Sequence, residues 1–202
     1  MNRSRTLAGV VVSVAVIIGG VPAQTAGQEL VEIQTSEGRI VAEVYPEQAP
    51  ITVVNFMAYV DDRLFDGGSF FRVVRPDNQP TDSVRIEVIQ GGPERSISRD
   101  RYRPAIPLER TRDTGLRHRD GTLSMARGGP DTARAQFFIC VDDQPSLDFG
   151  GTRNPDGQGF AAFGRVIEGM EVVRRIQSGH ADGQQLIVPV TIDSVRRLER
   201  GR

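Results

Sequence analysis

From Leu30 onward the apolar residues of this chain arrive in short runs separated by turn residues, and no other feature of the sequence restricts its fold as strongly. The segments "LVEIQTS" and "IVAEVY", joined through "EGR", read as a hairpin with Gly38 in its turn. Further runs of strand length follow: "SFFRVV", "VRIEVIQ", "GTLSMA", "QFFICV", "FAAFGRV" and "VTIDSVRRL". Two stretches carry helical spacing instead. "APITVVNFMAYV" aligns Val53, Phe56, Met57 and Val60 behind Pro50, a residue suited to a first helical turn. "GMEVVRRIQS" does the same with Met170, Val173 and Ile176. Eight short strands, two helices and turn-rich connections predict a mainly β fold: a closed eight-stranded antiparallel barrel capped by two α-helices. Two long loops, 75–84 and 148–159, interrupt the pattern.

The first 23 residues are set apart by composition. Arg3 and Arg5 form a basic start, residues 7–18 are almost wholly apolar, and "VPA" at 21–23 supplies small residues for cleavage. This is the order of a secretory signal, so the expected organisation is a signal peptide at 1–23 and one folded domain at 24–202. An uncleaved anchor is the alternative, but the apolar run falls short of the ~20 residues a spanning helix needs. The expected location is outside the cytoplasm, in the periplasm if the source has two membranes. With a net charge of -1 there is no basic excess of the kind nucleic-acid binders carry. All 25 basic residues are Arg, for which the sequence offers no functional account. The single Cys140 cannot form an internal disulfide and sits in an apolar run, where a free cysteine behaves as a small hydrophobe.

The usual catalytic constellations are not legible. His118 and His180 lie far apart in polar, turn-like sequence, and no cluster has the spacing of a metal site. Ser124 in "TLSMA" lacks the strand-turn-helix elbow of a serine hydrolase, and neither "GGP" resembles a phosphate loop. What remains is a period of two. In residues 136–141, Gln136, Phe138 and Cys140 face one way while Phe137, Ile139 and Val141 face the other. The same alternation in "SFFRVV" groups Phe70, Arg72 and Val74 against Phe71 and Val73. If one set fills the barrel, the other lines an outer groove containing Phe138, Gln136 and Arg72. Taken alone, Arg72 reads more readily as a surface ion pair, since most lone Arg residues on a strand are solvated.

Four segments in order, "FFRVV", "VIQGG", "GTLSMARGGPDTARAQFFIC" and "AFGRVIEGM", closely resemble the cyclophilin-type peptidyl-prolyl cis/trans isomerases. The resemblance spans residues 31–198, and its central block is long and distinctive. It implies the barrel fold already expected and an enzyme that rotates X–Pro peptide bonds with no cofactor and no metal. By motif position, Arg72 takes the family's catalytic arginine role, Gln90 orients the substrate, and Phe138 forms a main wall of the proline pocket. Val88 stands where the family often has Met, and Leu147 fits the rim. Ala126, Arg127 and Gln136 line the groove for flanking residues, with the Arg127 backbone offering hydrogen bonds.

Three departures stand out. Glu87 aligns with a frequent pocket Phe, but the extra residues before it blur the register. Ser146 replaces a frequent Trp, and Phe160 a frequent His. The implied partners are proline-containing segments of unfolded or folding proteins, with no nucleic acid and no membrane after signal cleavage, and the expected state is a monomer. Loss of the pocket Phe keeps a second reading open: a proline-binding module or holdase chaperone without catalysis.

Overall fold

Antiparallel hydrogen bonding between segments of alternating side chains generates the architecture. The computed structural model describes residues 28–94 and 98–199; the expected signal segment lies outside them. The strands are β1 (Glu29–Thr35), β2 (Gly38–Val44), β3 (Gly68–Val74), β4 (Val88–Gly92), β5 (Thr122–Met125), β6 (Phe137–Cys140), β7 (Ala162–Glu168), β8 (Ala181–Asp182) and β9 (Gln185–Leu198). Eight of them form a ring in the order β1-β2-β7-β5-β6-β4-β3-β9, closed by β9 pairing with β1 from Leu30↔Leu198 to Thr35↔Ile192. Closure leaves that ring without a free edge. The expected eight-stranded barrel is observed, with one addition: the two-residue β8 pairs with the start of β9 and makes a small projecting hairpin.

Three helices accompany the ring. In α1 (Pro50–Asp61) the anticipated Val53, Phe56, Met57 and Val60 are all buried. Its N-cap, Ala49, has no side-chain cap; instead the Glu109 carboxylate accepts the Ile51 and Thr52 N–H groups at 3.1 and 2.8 Å. An acidic group there satisfies orphan donors and meets the positive end of the helix dipole. A single turn, α2 (Thr111–Thr114), was not expected from the spacing. In α3 (Met170–Gln177) Val173 and Ile176 are buried as expected, joined by Val172, while Met170 is only partly covered.

Alternation sorts the apolar residues into two bodies. The barrel interior holds Phe137, Ile139 and Val141 with Phe56, Phe65 and Phe70, whose rings meet Phe137 edge-on at 5.5 to 5.7 Å. A second, smaller cluster lies on the outer face: Val74, Ile86, Val88, Phe138, Cys140 and Leu147, flanked by Ala126 and Phe160. The predicted split of Phe137 from Phe138 is observed. The split in β3 is not. Its pairings with both neighbours shift register between Phe70 and Arg72, so Phe70 turns inward and only Arg72 and Val74 face out. This is a bulge, in which one extra residue on the strand reverses the alternation beyond it. Gly91 permits it: a Cβ there would stand 2.8 Å from both the Phe70 ring and the Ser69 carbonyl.

Candidate active site

Three residues from three neighbouring strands form a row on the outer face. Arg72 of β3 lies opposite Gln90 of β4, Gln90 lies opposite Phe138 of β6, and Phe138 lies opposite Ser124 of β5. Opposite residues in an antiparallel sheet are close neighbours, so the register alone assembles guanidinium, amide and phenyl ring side by side. Arg72 Nη1 donates to Gln90 Oε1 at 2.7 Å, and Gln90 Nε2 donates to Gln136 Oε1 at 3.0 Å. Among the described residues, this chain of bonds leaves the Gln136 amide nitrogen and one N–H of Gln90 for another acceptor. Arg72 is therefore not the surface ion pair of the alternative reading, since its hydrogen bonds run to neutral amides. Burial, with the nearby Arg153 cation, lowers its pKa from the ordinary value, and Asp82 opposes that.

The row opens onto a cavity of about 270 Å³ lined by Arg72, Ile86, Val88, Gln90, Ala126, Arg127, Phe138, Leu147, Arg153, Asn154 and Phe160. Of the nine residues singled out from the sequence, eight line it; Gln136 lies in an adjoining concavity that shares Gln90, Ala126 and Arg127. Phe160 meets Phe138 edge-on, centroids 5.4 Å apart. The Arg127 side chain is folded beneath the rim: its guanidinium grips Asp156 at 2.7 and 2.9 Å, donates to the Gly159 carbonyl, and sits 4.9 Å over the Phe160 ring. That grip holds the Asp156 carboxyl down at about 2. Its long side chain is occupied there, so only its backbone remains for a ligand.

Three lining residues escaped sequence reasoning. Ile86 occupies the side where Glu87 had left a gap, while Glu87 itself turns toward α3 and accepts from Gln177 Nε2 at 3.2 Å. Extending the period of two back from Val88 would have found Ile86. Arg153 and Asn154 come from the long loop 148–159 and carry no periodic signal. Arg153 reaches across the mouth to Asp82 at 3.0 Å and to the Val84 carbonyl at 2.6 Å, so the two long loops clasp one another beside the cavity. Gln79, 1% exposed, holds the first loop in place through bonds to the Arg75 carbonyl and to both backbone groups of Ile86.

Beneath the pocket the fold also brings together a serine, a histidine and an aspartate that the sequence keeps apart. His118 Nδ1 lies 2.8 Å from Asp148 Oδ1, and His118 Nε2 lies 2.9 Å from Ser124 Oγ. A nucleophile–base pair that was not legible in the sequence can thus be named, and His118, in a polar, turn-like segment, is buried. The order resembles a hydrolytic triad, but Ser124 is 0% exposed and His118 1%, with the imidazole stacked against Phe138. No carbonyl can reach that hydroxyl, so the group floors the pocket rather than attacking a substrate. Burial lowers the His118 pKa despite Asp148 beside it. Burial also acts to raise the Asp148 carboxyl, but its two bonds from His118, with Arg117 nearby, outweigh this and leave it below the usual range. Among the described residues no group of three or more His, Cys, Asp or Glu side chains could hold a metal ion.

Comparison with known proteins follows the same lines. The sequence profile described as cyclophilin type peptidyl-prolyl cis-trans isomerase/CLD matches residues 30–197. The chain is 38% identical to peptidyl-prolyl cis-trans isomerase cyp18 of Streptomyces antibioticus over 176 residues, covering 83% of this chain and 98% of that protein. It is 36% identical to a peptidyl-prolyl cis-trans isomerase of Acinetobacter baylyi, covering 81% and 80%. Among solved structures, a cyclophilin type peptidyl-prolyl cis-trans isomerase of Cryptosporidium parvum superposes with a TM-score of 0.67 at 23% identity, covering 86% of this chain and 99% of that one. The same protein crystallised in the presence of the dipeptide Ala-Pro gives a TM-score of 0.66.

Proposed function

The chain belongs to the cyclophilin-type peptidyl-prolyl cis-trans isomerases, and from that premise we propose that the Arg72–Gln90–Phe138 row rotates X–Pro bonds in proteins folding outside the cytoplasm. The reaction breaks no bond and moves no proton. Its barrier, ~18–20 kcal/mol for a peptide bond, is amide resonance, and uncatalysed X–Pro exchange is slow enough to limit folding. A catalyst has only to bind the twisted state better than either planar one. The apolar cup of Ile86, Val88, Phe138, Leu147 and Phe160 takes the proline ring. When conjugation is lost the prolyl nitrogen gains a lone pair, and the Arg72 guanidinium donates to it. Gln90 orients the neighbouring carbonyl, while Ala126, the Arg127 backbone and Gln136 hold the flanking residues.

The observation that carries this reading is the cross-strand register that sets a half-buried cation without a bonded carboxylate beside an apolar cup. Ile86 lines the side of the cup whose missing Phe had kept open a module that binds without catalysis. Two-dimensional exchange NMR on a short X–Pro peptide tests the activity: cross-peaks between cis and trans signals should grow with added protein. Equal exchange rates with and without protein would return the chain to the binding-only class.

Export completes the proposal. The basic start, apolar run and small-residue site support a mature chain that begins near Gln24 and is exported from the cytoplasm, to the periplasm if the source has two membranes. Mass spectrometry of the exported protein should find that N-terminus; an intact Met1 in a membrane fraction would replace export with anchoring.

A further inference from the structure

We propose that Gln184 is a positioning residue that holds Arg72 in its working orientation; the proposal rests on the reading of Arg72 as the donor to the prolyl nitrogen. A guanidinium carries five N–H donors in one plane. Here Nε and Nη2 both donate to Gln184 Oε1, at 3.0 and 2.5 Å, and Nη1 donates to Gln90 Oε1 at 2.7 Å. Three donors on two edges are thereby held, which fixes both the direction of the side chain and the tilt of the guanidinium plane. One N–H on each terminal nitrogen is left for a ligand. An arginine on a β-strand otherwise samples many rotamers, and few would aim those two donors at the cup.

The chemistry of the brace matters as much as its geometry. A carboxylate at this position would grip the guanidinium harder, but it would offset the positive charge that the twisted peptide has to meet. An amide oxygen orients the cation and leaves its charge unneutralised. Both of the groups that hydrogen-bond Arg72 are amides.

Gln184 is in turn well anchored. It lies in the turn of the β8–β9 hairpin, after Gly183 at φ +56°, and its own carbonyl accepts the Val73 N–H at 2.9 Å. Asn78, in the long loop after β3, donates from Nδ2 to the Val73 and Gly183 carbonyls at 3.0 and 3.1 Å. Gln184 Nε2 points back to the Asn78 carbonyl at 3.4 Å. The added hairpin and the long loop thus share one task, which is to carry an amide to the far side of Arg72.

The test uses the full mature chain and peptide exchange NMR. Gln184→Leu keeps the backbone bond to Val73, so the fold should be retained. Its kcat should fall about tenfold, equivalent to about 1.4 kcal/mol, while KM for the peptide is unchanged. The Arg72 Nε–H resonance, identified by its loss in Arg72→Ala, should exchange slowly with solvent in the wild type and rapidly in Gln184→Leu. Gln184→Glu supplies a readout that a merely structural role would not move. Its rate should be depressed at neutral pH and rise as the introduced carboxyl is protonated, near or below the ~4.3 of a free glutamate, with no such step in the wild type. Wild-type kcat in Gln184→Leu, beside a catalytic wild type, overturns the proposal alone. A wild type that does not accelerate exchange overturns instead the function on which it rests.

Discussion

The imidazole of His118 lies almost parallel to the ring of Phe138, with centroids 6.0 Å apart and planes at 16°. Its two nitrogens are engaged by Asp148 and Ser124, so the pocket's aromatic wall rests on a buried titratable group.

That contact has a pH signature. Burial, the largest influence, lowers the His118 pKa below its ordinary value, with Asp148 opposing. Unfolded histidine titrates near ~6.5, so below that pH the unfolded state binds the extra proton and the folded state does not. Stability is therefore full above about pH 6.5 and falls as pH drops toward the folded-state value. The loss should approach about 1.4 kcal/mol per pH unit in that window. Urea unfolding of wild type and His118→Gln across it should show the slope only in the wild type.

Arg72→Ala should keep the circular dichroism spectrum and lose about tenfold to a hundredfold in exchange rate, because a hydrogen bond to a charged group is worth about 1.5–3 kcal/mol and each tenfold is 1.36. A folded variant with wild-type rates would leave Arg72 without a role in the chemistry.

Phe137 and Phe138 are adjacent and both buried, yet they belong to different bodies. Either truncation to Ala should cost about 3–5 kcal/mol in urea unfolding. Only Phe138→Ala should also raise KM for the peptide, because only its ring lines the cavity. A rise of equal size in Phe137→Ala would contradict the assignment of faces.

Gln79→Ala removes three hydrogen bonds, one to the Arg75 carbonyl and two that tie the first long loop to Ile86. Stranded buried groups cost about 1–3 kcal/mol, and Ile86 should lose its place in the wall. Faster hydrogen exchange at the Ile86 amide, with weaker peptide binding, is the expected pair of results. An unchanged Ile86 amide would mean that the clasp between Arg153 and Asp82 holds the loop without Gln79.

The resemblance to cyclophilins implies a test with cyclosporin, the cyclic peptide that inhibits many of them, and binding to this protein should be weak. Ser146 stands where such proteins carry a Trp that packs on the ligand and donates one hydrogen bond. Losing a neutral hydrogen bond of ~0.5–1.5 kcal/mol together with apolar area at ~25 cal/mol per Å² weakens that binding, while catalysis of short peptides, held by Arg72, Gln90 and the Phe138 pocket, should suffer less. Inhibition titrations of wild type and Ser146→Trp should show sensitivity rising in the variant; tight wild-type inhibition would point to a contact from Arg153 or Asn154 instead.

Local order in the chain determined the strand-and-turn architecture, the two main helices and the split between Phe137 and Phe138. These follow from the period of side chains along a single element, which a sequence displays directly. The motif segments likewise carried Arg72, Gln90 and the rim residues, because each is embedded in a contiguous, distinctive run. Tertiary structure decided the rest. Phe70 and Arg72 separate only because a bulge interrupts alternation, where Phe70 packs closely over Gly91 of the neighbouring strand. Arg153 reaches the pocket from a loop and Gln184 reaches Arg72 from a turn, and Ser124, His118 and Asp148 meet beneath the pocket across three segments. Hydrogen bonds between residues far apart in the chain have no period. They exist only once barrel closure has brought their elements together, so no local reading of the sequence can contain them.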